Sequence, residues 1–254
     1  MSIGIIYVNT AHENGKYIAE AEKSCLSFKK FIADAEYFLC TDALDVSSSV
    51  FDKILPEDFT LPKFLEGTDH KNGQMVGKLK ISPKMADTKH DMLGYFGSDL
   101  YALSPLSKGV FDVLDRFDLG IAHAPHRINT SLGNSSLPMI PTTFPELNGD
   151  LVVWRNTNKM RKFLEEWRDM YLSHELGHPH DQGALRYLAY MRDIRIAIFP
   201  PEYNYRGKEW RRDTIILQNR NALPLYLNSE IYRKKQRRKI AVKKIFHSVR
   251  KKLR

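Results

Sequence analysis

The sequence predicts an α/β protein: a mixed, mostly parallel central sheet flanked by helices, with a basic helix at its C-terminal end. Three observations carry that prediction. Ile3 to Val8 is an unbroken apolar run of strand length, the pattern of a strand covered on both faces. Ile18, Ala21, Cys25, Phe28 and Ile32 then recur at helical spacing, and Tyr37-Phe38-Leu39-Cys40 returns to a strand-like run, so the chain opens as strand, helix, strand. Positive charge, finally, is concentrated at one end. Residues 233–254 hold 12 of the 39 Lys and Arg and none of the 30 Asp and Glu, which leaves 27 basic against 30 acidic residues in the body.

Phe51 to Leu55 reads as a third strand, a helix spans about 72–87, and Met92 to Phe96 is a strand ending in Gly97-Ser98-Asp99. Ser104-Pro105 has the form of an N-cap followed by proline at the first helical position, opening a helix that runs to about Arg116. Leu119 to Ala122 is a strand. Residues 126–146 have no period and contain Pro138, Pro141 and Pro145, so they read as a loop long enough to suggest function. Asn148-Gly149-Asp150 reads as a turn feeding a strand at Leu151 to Trp154. Helices over 157–172 and 181–192 come next, then short strands at Ile194 to Phe199 and Thr214 to Leu217, with more antiparallel pairing expected in this half.

At 254 residues, 43% hydrophobic and 27% charged, the chain can bury a core without disulfide or metal support. The expected division is one domain over 1–229 and a tail over 230–254. Cys25 and Cys40 both fall in apolar patterns, which predicts buried thiols in a reducing compartment. No apolar run is long enough to span a bilayer, and the N-terminus reads as a strand rather than a signal peptide. A cytoplasmic location is the expectation.

His174-Glu175-Leu176-Gly177-His178 matches the H-E-x-x-H pattern of zinc hydrolases, in which two histidines one helical turn apart share a metal. Pro179 directly after His178 pushes that residue out of the helical region, and Gly177 weakens the turn further. The extended form of the pattern also fails, because Asp181 and Ala184 stand where glycine and the third histidine belong. The stretch reads instead as a polar connection between two helices, with His180 or Asp181 near the N-cap of the second.

Three neighbouring segments suit one ligand site. Ligands of open α/β sheets bind at the carboxyl ends of strands, which is where Asp99 falls. ELNGDLVVWRNT and HDQGALRYL with the downstream PPEYNYR supply further polar groups. Taken in order, these segments resemble the nucleotide-sugar-dependent glycosyltransferases of GT-A fold, over about residues 3–220. Val8-Asn9-Thr10 resembles the end of the family's first strand, which meets the nucleotide, and Asp42 after the second strand is similar to a frequent family feature. Gly97-Ser98-Asp99 resembles the Asp-x-Asp motif with its first acid missing. Asn148 and Asp150 lie in a segment similar to the family's sugar-contact segment. Asp181-Gln182 resembles the acidic-Gln pair opening a later helix in retaining branches.

The resemblance implies transfer of a sugar from a nucleotide donor, with a UDP-sugar the expected one, to a glycan or glycolipid, as in polysaccharide biosynthesis. It implies Asp99 on the metal or diphosphate side, and Asn148, Asp150, Asp181 and Gln182 at the sugar or the reacting carbon. A divalent cation, manganese or magnesium, normally accompanies this chemistry. With Gly97 at the first acid position and no histidine in 215–220, a single carboxylate is a weak protein site for a hard cation. Arg206, Lys208 or Arg220 would then neutralise the diphosphate, and Arg127 lines the donor or acceptor side. The missing acid equally suits a descendant that binds nucleotide or glycan without transfer.

In the tail, Val242, Ile245, Phe246, Val249 and Leu253 form one apolar stripe among basic residues. A basic amphipathic helix is drawn to anionic lipid, so residues 232–254 predict a peripheral membrane association. The body has no basic excess, which argues against nucleic acid as the partner.

Overall fold

The computed structural model describes residues 1–10, 16–43, 45–67, 71–124, 140–141, 143–176 and 180–228, with backbone alone at 71 and 72. Arg127, His178 and the tail over 232–254 lie outside the described residues. The chain divides into two units, one of 1–206 with 213–218 and one of 207–212 with 219 onward.

The first unit carries the sheet. Strand β1 (Ile3–Val8) is buried at all six positions, as its unbroken apolar run predicts. The two-residue period of a strand splits these side chains between two cores. Ile5 and Tyr7 pack with Ala21, Cys25 and Phe28 of helix α1 (Lys16–Lys29). Ile6 and Val8 face the opposite layer, built by Val76 and Leu79 of α2 (Lys71–Lys84), Phe163 and Trp167 of α4 (Asn158–Leu172), and Leu185 and Leu188 of α5 (Gln182–Met191). Cys25 and Cys40 are buried free thiols, and burial pushes the Cys25 thiol up to about 12.

Strands β2 (Glu36–Thr41) and β3 (Lys53–Pro56) add in parallel on one side of β1, and β4 (Met92–Phe96) adds in parallel on the other. Strand order therefore reverses beside β1. Strand β7 (Leu147–Arg155) runs antiparallel between β4 and β6 (Leu119–His123), and β8 (Ile196–Phe199) pairs in parallel with β6. Among the described residues the sheet has seven strands in the order β3-β2-β1-β4-β7-β6-β8. A second pair, β5 (Leu100–Ala102) and β9 (Ile216–Gln218), is antiparallel, with Leu100 opposite Gln218.

Several sequence expectations need correction. Asn148-Gly149-Asp150 is not a turn but the opening of β7; a bulge takes up the irregular residues, Ile121 pairing Val152 and Ala122 pairing Asn148. Strand β5 escapes detection because three residues after a turn carry no period. Ser104 does cap, its Oγ accepting from the Leu106 N–H, but the segment it opens consists of two 3-10 turns around the single α-turn α3 (Gly109–Asp112) rather than one helix. Helix α4 stops at Leu172, before the first histidine of the zinc-like pattern. His174 has φ 55°, a left-handed conformation incompatible with a continuing helix, and its ring stacks on Phe64 at 4.1 Å. The continuous helix that H-E-x-x-H zinc binding needs is broken there.

The second unit, by itself, has a helical stretch over 223–228. The Tyr226 hydroxyl accepts from the Arg211 N–H at 3.0 Å and donates to the Glu209 carbonyl at 3.2 Å, tying its two segments together.

Candidate active site

Strand order reverses between β1 and β4, whose carboxyl ends therefore mark the position where open α/β sheets bind ligands. Asn9, the first residue past β1, is fully buried. Its Oδ1 accepts from Gln74 Nε2 at 3.0 Å and from Ser98 Oγ at 3.1 Å, joining α2, β1 and the end of β4. Its Nδ2 is buried with no acceptor among the described residues, so it is a donor available to a ligand oxygen. Thr10 Oγ1 donates to Asp42 Oδ2 at 2.9 Å, linking the ends of β1 and β2 and leaving Asp42 exposed at the rim. Val8 belongs to the apolar core, which leaves only its backbone for the ligand role its sequence position suggests.

Because β7 is antiparallel to β4, its first residues lie at the same edge as the last residues of β4. The Gly97 N–H donates to the Asp150 carbonyl at 2.8 Å and continues the ladder. Gln218, from β9, ties the acids together: its Nε2 donates to Asp150 Oδ2 at 2.5 Å and to Asp99 Oδ1 at 3.4 Å. Asn148 Nδ2 donates in turn to Gln218 Oε1 at 2.8 Å, and Asn148 Oδ1 accepts from the Asp150 N–H at 2.8 Å. Four residues from three strand ends thus form one polar network.

Helix α2 contributes a pair one turn apart, Gln74 and Lys78, on a common face. Lys78 Nζ lies 2.5 Å from Asp181 Oδ2, and both side chains are about one-twentieth exposed (5% and 6%). The contact is an ion pair rather than a well-angled hydrogen bond, since Asp181 Oδ2 has no directional partner. The ammonium also donates to the Gly149 carbonyl at 3.3 Å and lies over the rings of Tyr95 and Trp167 at 5.2 and 5.0 Å. A Cβ at position 149 would stand 2.9 Å from Lys78 Nζ, so a larger residue there would displace the ammonium from this position. Asp181 occupies the N-cap position of α5, as the sequence predicts, but its side chain makes no cap bond; the carboxylate goes to Lys78 instead. Trp167 Nε1 donates to the Asp181 carbonyl at 2.9 Å and fixes the start of the helix. Burial, reinforced by the carboxylates of Asp150, Asp181 and Asp99, pushes the Tyr95 hydroxyl well above its ordinary range, so it stays protonated beneath the acids.

The remaining candidates are more scattered. Gln182 opens α5 and is half-buried, and Arg206 is exposed just after the bridge between Tyr205 and Leu217. Lys208 and Arg220 belong to the second unit. Sequence reasoning missed Gln74, Lys78 and Gln218. A lysine or glutamine on a helix or short strand ordinarily reads as solvated, and only the topology gives these three a role.

Among the described residues no group of three or more His, Cys, Asp and Glu side chains is placed to hold a metal. The β4–β7 edge nevertheless offers two carboxylates, the oxygen ligands a hard cation takes, and the nearby acceptor-less Asn9 Nδ2 is a donor for an oxygen of the nucleotide.

No protein-family model and no curated protein matches the chain. Solved structures do. The apo form of mouse xyloside xylosyltransferase 1 superposes with a TM-score of 0.56 at 14% identity, covering 87% of this chain and 98% of that one. An active-site mutant of LgtC, glutamine replaced by glutamate, gives 0.57 at 10% identity, covering 85% of this chain and 87% of that one. The galactosyltransferase LgtC in complex with donor and acceptor sugar analogues gives 0.55 at 12%, with the same coverage. The chain therefore has the GT-A fold of nucleotide-sugar glycosyltransferases, with the mixed sheet and flanking helices that the sequence predicts.

Proposed function

We propose that the chain is a glycosyltransferase that moves a sugar from a UDP-sugar to a glycan or glycolipid acceptor at a membrane surface. The observation that carries this reading is the convergence of Asn9, Ser98, Asp99, Asn148 and Asp150 on the carboxyl edge where strand order reverses. In the reaction the bond between the anomeric carbon and the diphosphate oxygen breaks, an acceptor hydroxyl oxygen bonds to that carbon, and the hydroxyl proton is released. Positive charge grows on the sugar and negative charge on the leaving group, so the site needs acids and dipoles at one and cations at the other.

Under this reading the backbone of Val8 with Asn9, Thr10 and Asp42 takes the nucleoside end of the donor, and Ser98 and Asp99 take the diphosphate. A divalent cation, manganese or magnesium, would be held by Asp99 and would supply positive charge to the departing diphosphate, and Arg206 is assigned to the same charge. Gln182, half-buried at the start of α5, faces the sugar, and the buried Asn148 and Asp181 act from behind by holding Gln218 and Lys78 in place. Lys78, fixed by Asp181 and two aromatic faces, keeps that end of the site in one geometry. The assignment of Gln182 to the reacting face, in a retaining transfer, draws support from the LgtC active-site mutant in which a glutamine is changed. The bound donor and acceptor analogues of LgtC support the same two classes of partner here. Residues 232–254 dock the enzyme on anionic lipid at the cytoplasmic face, and no described helix is long and apolar enough to cross the membrane. Gly97 favours a second reading, a descendant that binds the donor without turning it over.

Thermal unfolding with UDP, UDP-hexoses and GDP-mannose tests the proposal. A ligand at 100 times its Kd stabilises by about 2.7 kcal/mol, which at this size raises Tm by about 5–10 °C. UDP and at least one UDP-hexose should produce the shift, and Asn9→Ala should abolish it. No shift with any nucleotide refutes the reading; a shift without release of UDP on adding acceptors favours the non-catalytic one.

A further inference from the structure

Resting on the reading of this edge as a donor site, we infer that Asp150 replaces the acid missing at position 97, so that a divalent cation is held by one carboxylate from each of two strands, Asp99 and Asp150. The β4–β7 edge is crowded at this point. Residues directly opposite in an antiparallel pair ordinarily hold their Cβ atoms about 4.5–5.5 Å apart. A Cβ built at Gly97 would lie only 3.2 Å from Asp150 Cβ and 3.5 Å from Asp99 Oδ1. A second side chain at this pair of positions would push the first aside by a few tenths of an ångström. Asp150 supplies the one side chain present, and the glycine opposite leaves its carboxylate unshifted.

The carboxylate so placed is held for ligation. Gln218 fixes one oxygen of Asp150 and one of Asp99 with a single amide nitrogen, which keeps the two acids neighbours, and Asn148 fixes Gln218 from behind. Gln218 and Asn148 are buried, at 3% and 0% exposure, so the framework is rigid. Asp150 meets no cationic side chain among the described residues; the one lysine nearby, Lys78, is engaged by Asp181. The buried Asn9 Nδ2, whose amide is oriented by Ser98 beside Asp99, is a donor with no acceptor among the described residues, suited to a nucleoside oxygen next to the cation-bound diphosphate. A hard cation satisfied by two carboxylates completes its shell with diphosphate oxygens and water. Asp150 therefore belongs to the cation, not to the reacting carbon as its sequence position suggests.

The exchange of places is testable by reversing it. Manganese binding is followed by the loss of the free-ion electron paramagnetic resonance signal, with and without UDP, on the full-length chain. Wild type should bind manganese, more tightly with UDP present. Asp150→Asn, close to isosteric, should weaken binding at least tenfold with an unchanged circular dichroism spectrum. Gly97→Asp alone should also weaken it, because the new side chain displaces the Asp150 carboxylate from its place. Gly97→Asp combined with Asp150→Gly should restore affinity to within about threefold of wild type. Manganese binding that is absent in wild type, or indifferent to Asp150→Asn, overturns the inference. If UDP binds equally well without manganese, the donor reading stands and the cation site falls. If UDP does not bind at all, the donor reading falls, and manganese titrated alone against the Asp150→Asn variant still decides the inference.

Discussion

Replacing Lys78 with methionine should destabilise the fold by about 3–5 kcal/mol, the cost of leaving one member of a buried ion pair without its partner. The magnitude comes from the geometry. At 2.5 Å and an effective dielectric of about 20, the attraction between the Lys78 and Asp181 charges is roughly 7 kcal/mol. Desolvating two side chains that are each about one-twentieth exposed costs several kcal/mol per ion, so the pair contributes little in net terms. Removing the ammonium withdraws the attraction but leaves the Asp181 carboxylate beneath Gly149, Tyr95 and Trp167. Lys78→Met paired with Asp181→Leu removes both charges and should return to within about 1 kcal/mol of wild type. Urea unfolding followed by tryptophan fluorescence measures all four corners of the cycle, and at this size the single variants should lose about 6–20 °C in Tm. Single substitutions costing under about 1 kcal/mol, or effects that simply add, would show that the pair is solvated and refute its buried character. The double variant should nevertheless lose donor binding, which separates the role of the pair in the site from its role in the fold.

Gly149→Ala should cost about 1–3 kcal/mol in the same assay and weaken UDP-sugar binding, because the new methyl falls 2.9 Å from Lys78 Nζ. Asp118 accepts hydrogen bonds from Arg195 and Lys159, which hold its carboxyl below the usual range, the Arg195 side chain foremost. A depressed value stabilises the fold above about pH 4, and the gain fades as pH falls through the folded value. Asp118→Asn should therefore lose about 1.5 kcal/mol at pH 7, with both partners about half exposed and partly screened. Urea midpoints of variant and wild type should converge as pH is lowered below about 4; a constant difference would contradict the assignment. Truncation at residue 231 should abolish cosedimentation with phosphatidylserine vesicles and leave UDP binding unchanged, and retained vesicle binding would remove the tail from the membrane proposal.

Periodicity made the framework legible. β1, α1, β2, β4, β6 and α4 are readable from apolar runs and helical spacing, and the place of Asp99 from the rule that ligands gather at strand carboxyl ends. What periodicity cannot carry is pairing at a distance. Asn148-Gly149 has turn composition, and only its register opposite Ala122 and the bulge make it strand. Gln218 sits on a three-residue strand with no pattern of its own, yet it bonds Asp99, 119 residues away in the chain, and Asp150, 68 residues away. Lys78 is a common surface residue type, buried here because glycine at 149 admits it. The resemblance to GT-A enzymes singled out Gly97-Ser98-Asp99 and the acid missing from it, but Asp150, the carboxylate that shares Gln218 with Asp99, lies on another strand.

A crystal structure with UDP bound would place the nucleotide relative to this edge atom by atom. The nucleotide should lie across the carboxyl ends of β1 and β4, with Asn9 and Asp42 toward the nucleoside and the diphosphate against Ser98, Asp99 and Asp150. UDP bound elsewhere on the chain, or that edge left unchanged at concentrations where calorimetry shows binding, would contradict the donor-site assignment.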